Sequence, residues 1–538
     1  LHGLQIDKWR ADAPVNILDL SPENVRFLAS QGFNLARVSM TYSGVEPAPG
    51  QFDQGYVGAY RAFDTQLANA GVYDLLDMMQ GEFSQAVGGW GMPDWMTNTS
   101  GLPNSRDPYP RGYYSNPAEN AAWDNFYANV PASDGVGLQD HYAAGLRRIS
   151  AGFADAPALL AIDVLNEPWP GTPWASCALP TGCPPGGFDQ TSLTDFYKRV
   201  VPAIRSADPR HMIAYEPNLL FDFGAATGLG NLNDPNLLFA FHNYCLGTVA
   251  FGFTVIDPVG ACGVGDGIVF ANAESRAAAS GDGLLMDEWG NTTDTAAIAR
   301  IAGEADQSMV GWSDWAYEDC CMSGAAVLAD GTKPATGSNV RLPILRALVR
   351  PYPQAVAGTP QGWSYDPSSD RFHLTYSAAG VSGALGSDVT QIEVPPLQYP
   401  TGYDADVKGG RVSSAPDADP LLIDTDTAHG VEVTGTPARH HPRSSGIPGK
   451  CSGSARTLKL RGRRAGRAIN VVVYVNGKAT LRRRGHDLRR IRVPAGLTNG
   501  SRIKIVSRTA RGAKVTTRRK LRDCRLTHPR TRIRHHNR

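Results

Sequence analysis

The stretch AIDVLNEPW, residues 161–169, decides the fold. An apolar run from Ala158 to Val164 leads into it, of the kind that makes a strand buried on both faces. The run stops at Asn166-Glu167-Pro168. Proline cannot donate to a strand ladder, so Pro168 ends the strand and leaves Glu167 at its carboxyl end. Parallel α/β barrels gather their chemistry there. An acid in that place is also compatible with an ordinary strand end in solvent, and its partners elsewhere in the chain decide between the two.

Working outward, short apolar runs alternate with longer amphipathic stretches as far as about residue 350. The first strand reads as Gly3–Lys8. A helix over Pro22–Gln31, capped by Gly32, precedes the strand that runs to Val38. A helix over Tyr56–Ala70 precedes a strand over Val72–Met79, and one over Gln139–Ala154 precedes Leu159–Glu167. Leu193–Ala207 reads as a helix before His211–Glu216, and Asn236–Tyr244, Gly283–Glu288 and Met309–Trp315 complete the series. Eight strands separated by helices predict a (β/α)₈ (TIM) barrel over 1–350. The pattern changes at Pro351-Tyr352-Pro353. Short alternating runs such as Phe372–Tyr376 and Val431–Val433 predict a small all-β sandwich over 351–435. A linker over 436–450 leads to a small basic β domain, 451–527, and a disordered basic tail, 528–538.

The formal net charge of +1 hides an asymmetry. Residues 451–538 hold 27 Lys and Arg against two acids, while residues 1–450 hold 25 against 49. No run of about 18 apolar residues is present to span a membrane. Leu1-His2-Gly3 reads as the inside of a strand, so the start reads as a processed or trimmed end. Eight cysteines form local pairs by spacing, Cys177/Cys183 and Cys245/Cys262, with Cys451/Cys524 bracketing the basic domain and Cys320-Cys321 adjacent. None has a zinc-ligand spacing with histidines, and disulfides in a secreted or cell-surface protein are the expectation.

Collecting the polar residues at the strand ends yields Lys8, Arg37, Gln80, Asn166 with Glu167, Glu216, His242 with Tyr244, Glu288 and Trp315. Glu167 and Glu288 are acids ending otherwise apolar runs. Two carboxyls about 5–5.5 Å apart serve retaining glycoside hydrolysis, one as nucleophile and one as proton donor. Asn166 suits a hydrogen bond to the sugar 2-OH. Arg37 and Tyr244 are expected to keep Glu288 ionised and oriented, and Trp315 to floor the sugar. Glu216 reads more readily as a structural strand end. Trp90, Trp95, Trp169 and Trp174 fall in long loops near the mouth and, as a set, suggest a sugar-stacking or hydrophobic rim. Met78, Met79 and Met92 read as packing.

The ordered stretches GFNLARVSMTYSGVEPAPG (32–50), VYDLLDMMQ (72–80), AIDVLNEPW (161–169), FAFHNYC (239–245), LLMDEWG (284–290) and GWSDWAYED (311–319) carry a resemblance. Together with PYPQAVAGTP (351–360) they resemble the retaining glycoside hydrolases of family 5, and within it the endoglycoceramidases. The resemblance covers about residues 1–435 and leaves the basic domain unexplained. It implies Glu167 as acid/base and Glu288 as nucleophile, with Arg37, Asn166, His242, Tyr244 and Trp315 at its other active-site positions; with Lys8 and Gln80, added from their strand ends, these are expected to bind substrate. It also implies that neither a metal nor an organic cofactor is called for. The family usually carries His-Gln-Asp after strand three; here Met79, Gln80 and Gly81 stand there, with Glu82 or Gln85 as substitutes nearby. The expected substrate is a glycolipid cut between glycan and ceramide. The alternatives are another hydrophobic β-glycoside (steryl, flavonoid or disaccharide conjugate), a β-glucan, or non-catalytic carbohydrate binding. The basic domain is expected to meet an anionic surface rather than nucleic acid, because Tyr474 is its single Phe, Tyr or Trp ring. Oligomeric state is not legible in the sequence.

Overall fold

The computed structural model describes residues 1–6, 20–244, 262–318, 324–378, 389–425 and 430–438, and strand segments between 456 and 534. Lys8, Cys245, Cys320, Cys321, Cys451 and Cys524 lie outside the described residues.

Eight parallel strands close into a barrel in chain order. They are β1 (His2–Ile6), β2 (Leu35–Met40), β3 (Tyr73–Met78), β4 (Leu159–Asp163), β5 (Met212–Tyr215), β6 (Leu237–Asn243), β7 (Gly283–Gly290) and β8 (Gly311–Trp315). The helix Pro22–Ser30 begins at Ser21, whose hydroxyl accepts the Asn24 amide. Gln31 caps its other end, and Gly32 follows at φ 92°. A β-carbon on Gly32 would lie 2.9 Å from Pro395 Cγ, so no larger residue fits. One expected boundary is corrected: β4 ends at Asp163, not at Glu167. Val164 and Asn166 still donate to Ala214 O and Met78 O, but Glu167 turns to φ 44° and leaves the ladder. No helix among the described residues is long and apolar enough to cross a membrane.

Two four-stranded antiparallel sheets follow. One is ordered β10 (Thr359–Asp366), β11 (Arg371–Ser377), β16 (Gly430–Pro437), β13 (Tyr403–Lys408). The other is ordered β14 (Gly410–Val412), β15 (Leu421–Thr425), β12 (Val389–Glu393), β9 (Tyr352–Ala355). Phe372, Leu374, Tyr376 and Val433 of the first share a core with Ile392, Leu421 and Ile423 of the second. Alternation of buried and outward residues along β11 and β16 is the period-2 pattern of a half-buried strand. Barrel and sandwich form one compact unit, Leu1–Ala438. Buried Arg350 pairs with Asp306 at 2.7 Å, and the Trp363 indole donates to the same carboxylate at 3.0 Å. His2 stacks on both Trp312 and Tyr352, at 4.3 and 3.7 Å.

The second unit, Arg439–Arg538, is all β among its described residues. Strand β17 (Arg456–Lys459) pairs with β20 (Arg490–Val493). A larger antiparallel sheet is ordered β19 (Lys478–Leu488), β18 (Ala468–Val475), β21 (Arg502–Thr509), β22 (Lys514–Arg522), β23 (Arg525–Leu526). The expected disordered tail is corrected in part: Arg530–Arg534 forms β24, antiparallel to β22. An open sheet edge offers unpaired amides and carbonyls, and β-branched Thr531 and Ile533 suit a strand that takes them up.

Candidate active site

Alternation along the barrel strands builds the site. Leu35, Leu75, Ala161, Ala214, Ala240 and Leu285 form an apolar cluster inside the barrel. Two residues further along each strand, the same inward face carries Arg37, Asp77, Asp163, Glu216, His242 and Asp287, all buried. The floor is therefore apolar and the layer above it charged.

Arg37 is the hub. Nη1 donates to Glu288 Oε2 at 2.7 Å and to Gln5 Oε1 at 3.1 Å. Nη2 donates to Asn166 Oδ1 at 2.9 Å, Glu216 Oε1 at 3.1 Å and Asp163 Oδ2 at 3.2 Å. Ion pairs to Asp287 at 2.9 Å and Asp77 at 3.2 Å complete its surroundings. One guanidinium cannot balance that many carboxylates, so some hold protons. Burial pushes Asp77 well above the usual carboxylate range against the pull of Arg37. Asp287 is pushed up to about 7, again chiefly by burial.

Asp287 and Glu288 are chain neighbours, and in a regular strand only one of them faces inward. The pairing of β7 with β6 is irregular at this point, where Phe241 pairs with Met286 but His242 with Glu288. A bulge of this kind re-aims a side chain, and both acids reach Arg37. The Tyr244 hydroxyl donates to Glu288 Oε1 at 2.9 Å. Both expected partners of Glu288 are thus in contact with it. They and His242 favour its ionised form, yet burial is the larger effect and holds Glu288 above its ordinary value.

Glu167 is held mainly through its backbone. Its amide donates to Glu216 Oε2 at 2.7 Å, and its carbonyl accepts Gln80 Nε2 at 3.1 Å. A left-handed φ is costly for glutamate, and these bonds over-determine it. Glu167 Oε1 lies 3.0 Å from His242 Nδ1. Burial disfavours charge on His242, but Glu216 first and then Glu288 and Glu167 lift it well above its ordinary value. Its two nitrogens face Glu167 and Glu216, so an imidazolium locks both acids in place.

Two groups of three side chains, Glu167/His242/Glu288 and Glu216/His242/Asp287, have ligand atoms within 4.8 Å of one another. These are the side chains that could share a cation. His242 belongs to both. The first group also sets the spacing of the two glutamates, whose nearest carboxyl oxygens lie within 4.8 Å.

Arg37, Asn166, Glu167, His242, Tyr244 and Glu288 are brought together as expected from their strand ends. Gln80 serves the scaffold: its amide donates to the carbonyls of Asn166 and Glu167, and its oxygen accepts the Phe83 amide. Asn166 has its oxygen on Arg37 and one amide proton on Gln80 O, which leaves the second proton outside these contacts. Trp315 ends β8, half-buried. Asp77, Asp163, Asp222 and Asp287 were not among the expected residues, and Glu216, read as structural, bridges Arg37, His242 and the Glu167 backbone.

Above the acids lies a chain of rings: Trp90, Tyr109, Tyr113, Trp169, Trp174 and Tyr114, each 4.9–6.2 Å from the next along this path or its branches. Burial, and after it the charge of Glu167, raises the phenols of Tyr109 and Tyr113 well above their ordinary range. Trp169 is fully buried, whereas Trp90, Tyr109, Tyr114 and Trp174 are half-buried. Trp95 is not part of this wall; it packs on His141 and donates to Glu46 O. Met78, Met79 and Met92 are buried packing residues. Of the two suggested substitutes, Glu82 accepts the Gly112 amide and Gln85 is exposed. The expected Cys177–Cys183 disulfide is present, and Cys262 is also disulfide-bonded.

Comparison with known proteins agrees with this geometry. The model of the cellulase family (glycosyl hydrolase family 5) matches residues 21–320, and that of the glycoside hydrolase family 5 C-terminal domain matches 350–434. Endoglycoceramidase I of Rhodococcus hoagii is 28% identical over 444 residues, covering 80% of this chain and 84% of the relative. The endoglycoceramidase of Cyanea nozakii is 26% identical over 419 residues, covering 72% of this chain and 78% of the relative. The structure of endo-glycoceramidase II from Rhodococcus sp. in complex with ganglioside GM3 superposes with a TM-score of 0.68 at 28% identity, covering 82% of this chain and 97% of that one. With this match over more than half its length, and two carboxyls at the spacing of the retaining reaction, the chain belongs to glycosyl hydrolase family 5 and is a retaining glycoside hydrolase.

Proposed function

We propose that this protein cleaves glycolipids between the glycan and the lipid by double displacement. The observation that carries the chemistry is the approach of the Glu167 and Glu288 carboxyls to within 4.8 Å, with His242 beside both. Inverting enzymes separate the pair by about 6.5–9.5 Å to admit a water, and this site leaves no such gap. Glu288, held by Arg37 and Tyr244, attacks the anomeric carbon and forms a glycosyl ester. The bond from that carbon to the aglycone oxygen breaks, and Glu167 gives that oxygen its proton. In the second step water attacks the same carbon, Glu167 takes the proton back, and Glu288 leaves as the carboxylate. His242 and Glu216 fix Glu167 through both steps, because a proton donor must stay within hydrogen-bond reach of the oxygen it serves.

The glycolipid reading is supported by relatives that are endoglycoceramidases, one of them bound to ganglioside GM3. The half-buried rings Trp90, Tyr109, Tyr114 and Trp174 provide apolar surface at the mouth for a sugar face or a lipid's first carbons. An extracellular place of action belongs to the same reading, since disulfides such as Cys177–Cys183 persist in oxidising compartments.

The test is an assay on ganglioside, glucosylceramide, an aryl β-glucoside and a β-glucan. Release of an intact oligosaccharide and ceramide from ganglioside is the expected result. Turnover of the β-glucan alone would replace the glycolipid reading with a glucanase. Glu288→Gln should abolish hydrolysis of every substrate, and unchanged turnover would remove Glu288 from its role.

A further inference from the structure

We propose that the second unit holds the protein on bilayers rich in anionic lipid, through one face of its larger sheet. The inference starts from strand register. Tyr474 of β18 pairs with Lys504 of β21, which pairs with Arg518 of β22. Asn470 pairs with Arg484 on one side and Arg508 on the other, and Arg508 with Lys514. Val472 stands opposite Arg482. Cross-strand partners point to the same face of a sheet, and so do residues two apart on one strand. Arg482, Arg484, Lys504, Arg508, Lys514 and Arg518 therefore share one face, and all six are exposed.

The other face carries the apolar core of this sheet. Val471, Val473, Ile503 and Ile505 form a buried cluster, with Val515 buried on the neighbouring strand. Alternation gathers six exposed cations on the first face, while Arg483 and Arg519 stand on the second, paired with Val471 and Ile503. No acid stands at the register positions of the basic face. Strands about 4.8 Å apart, with same-face residues about 7 Å apart along each, make a closely spaced grid of cations. Such a grid can meet many head groups at once, and the attraction adds over the charges.

The observations favour a bilayer over nucleic acid. Single-strand binders stack bases on open rings, but the one ring on this face, Tyr474, has the Lys504 ammonium 5.2 Å from its centroid. The described residues of this unit form no helix to enter a groove. The choice also rests on the glycolipid reading of the barrel, because a substrate anchored in a membrane rewards an enzyme that stays there.

The experiment is sedimentation of the full chain with vesicles of phosphatidylcholine, alone or with about 30 mol % phosphatidylserine, a range in which the surface potential becomes substantial. These vesicles contain no glycolipid, so the outcome is independent of what the barrel cleaves. Binding to the anionic vesicles should be at least about tenfold tighter at low salt and should fall as the Debye length shrinks. The combined variant Arg482→Glu/Arg484→Glu/Lys504→Glu/Arg508→Glu should lose that preference while still hydrolysing a soluble aryl glycoside. Salt titration of the unaltered chain reads the same property if the variant does not fold. Equal binding to both vesicles, binding that survives 1 M salt (a Debye length of about 3 Å), or tighter binding to duplex DNA than to anionic vesicles would each overturn the proposal. So would absence of binding.

Discussion

The indole of Trp90 fills the space that a side chain on residue 81 would need. A β-carbon on Gly81 would lie 2.3 Å from Trp90 Cζ2, and the two residues also exchange backbone hydrogen bonds at 2.7 and 3.1 Å. Trp90 then packs against Tyr109 at 5.0 Å. Where a side chain on residue 81 would stand, this chain places an aromatic ring.

This relationship predicts strong coupling between the two positions. Gly81→Ala alone forces the indole aside and should cost about 1–3 kcal/mol in denaturant unfolding, as overpacking does. On a Trp90→Ala background the same change should cost less than about 0.5 kcal/mol, because its obstacle is gone. Equal costs on both backgrounds would mean that the ring does not hold that space.

Tyr244→Phe tests how Glu288 is kept ionised. The hydroxyl donates to Oε1, and Arg37 donates to Oε2. Removing the hydroxyl raises the Glu288 pKa further, since its hydrogen bond favours the charged form. The acid limb of the kcat/KM profile should move to higher pH, and kcat should fall by roughly tenfold or more, the worth of about 1.4 kcal/mol. A profile that does not move would show the hydroxyl to be a bystander.

Arg37→Lys keeps the charge but loses the fork. Five carboxylates lie within 3.2 Å of guanidinium nitrogens spread over three atoms, and one ammonium cannot meet them all. Stability should fall by about 3–5 kcal/mol, the cost of uncompensated buried charge. Catalysis should fall by about 10²–10³, the scale of losing a preorganised donor. A variant within tenfold of the parent on an aryl glycoside would show that Arg37 holds the barrel rather than the nucleophile.

Much of this site is legible in the chain. Glu288, His242 and Tyr244 sit where apolar runs end, and eight such runs fix the barrel. What escaped notice were the acids inside the runs. Asp77, Asp163 and Asp287 each follow an inward apolar residue by two, and the period of a strand points them into the barrel. Read singly they look like solvent-facing positions; read in register with Arg37 they form its counter-charge. Glu167 is a different case. No propensity suggests a left-handed glutamate, because the conformation is imposed by Glu216 and Gln80 from other strands. The strand at Arg530–Arg534 was likewise hidden, since a run of arginines has the composition of a tail and only the open edge of β22 makes it a strand.

Glu119→Gln should flatten the pH dependence of stability. Glu119 and Glu82 are buried on either side of Gly112, whose β-carbon would lie 2.4 Å from Glu119 Oε2 and 2.8 Å from the Glu82 carboxyl carbon. Burial first, and then the charge of Glu82, pushes Glu119 up to about 9; burial pushes Glu82 up to about 7. A carboxyl raised in the fold stays protonated there while the unfolded chain releases its proton. The stability it contributes is whole below the unfolded value near 4.5 and declines as pH climbs toward about 9, by up to about 1.4 kcal/mol per pH unit. Glutamine fills the same space and does not titrate, so unfolding measured at pH 5, 7 and 9 should show the variant gaining on the parent at each step. The other raised acids are common to both proteins and cancel in the difference. Parallel curves would mean that Glu119 is ionised in the fold, with a partner that offsets its burial.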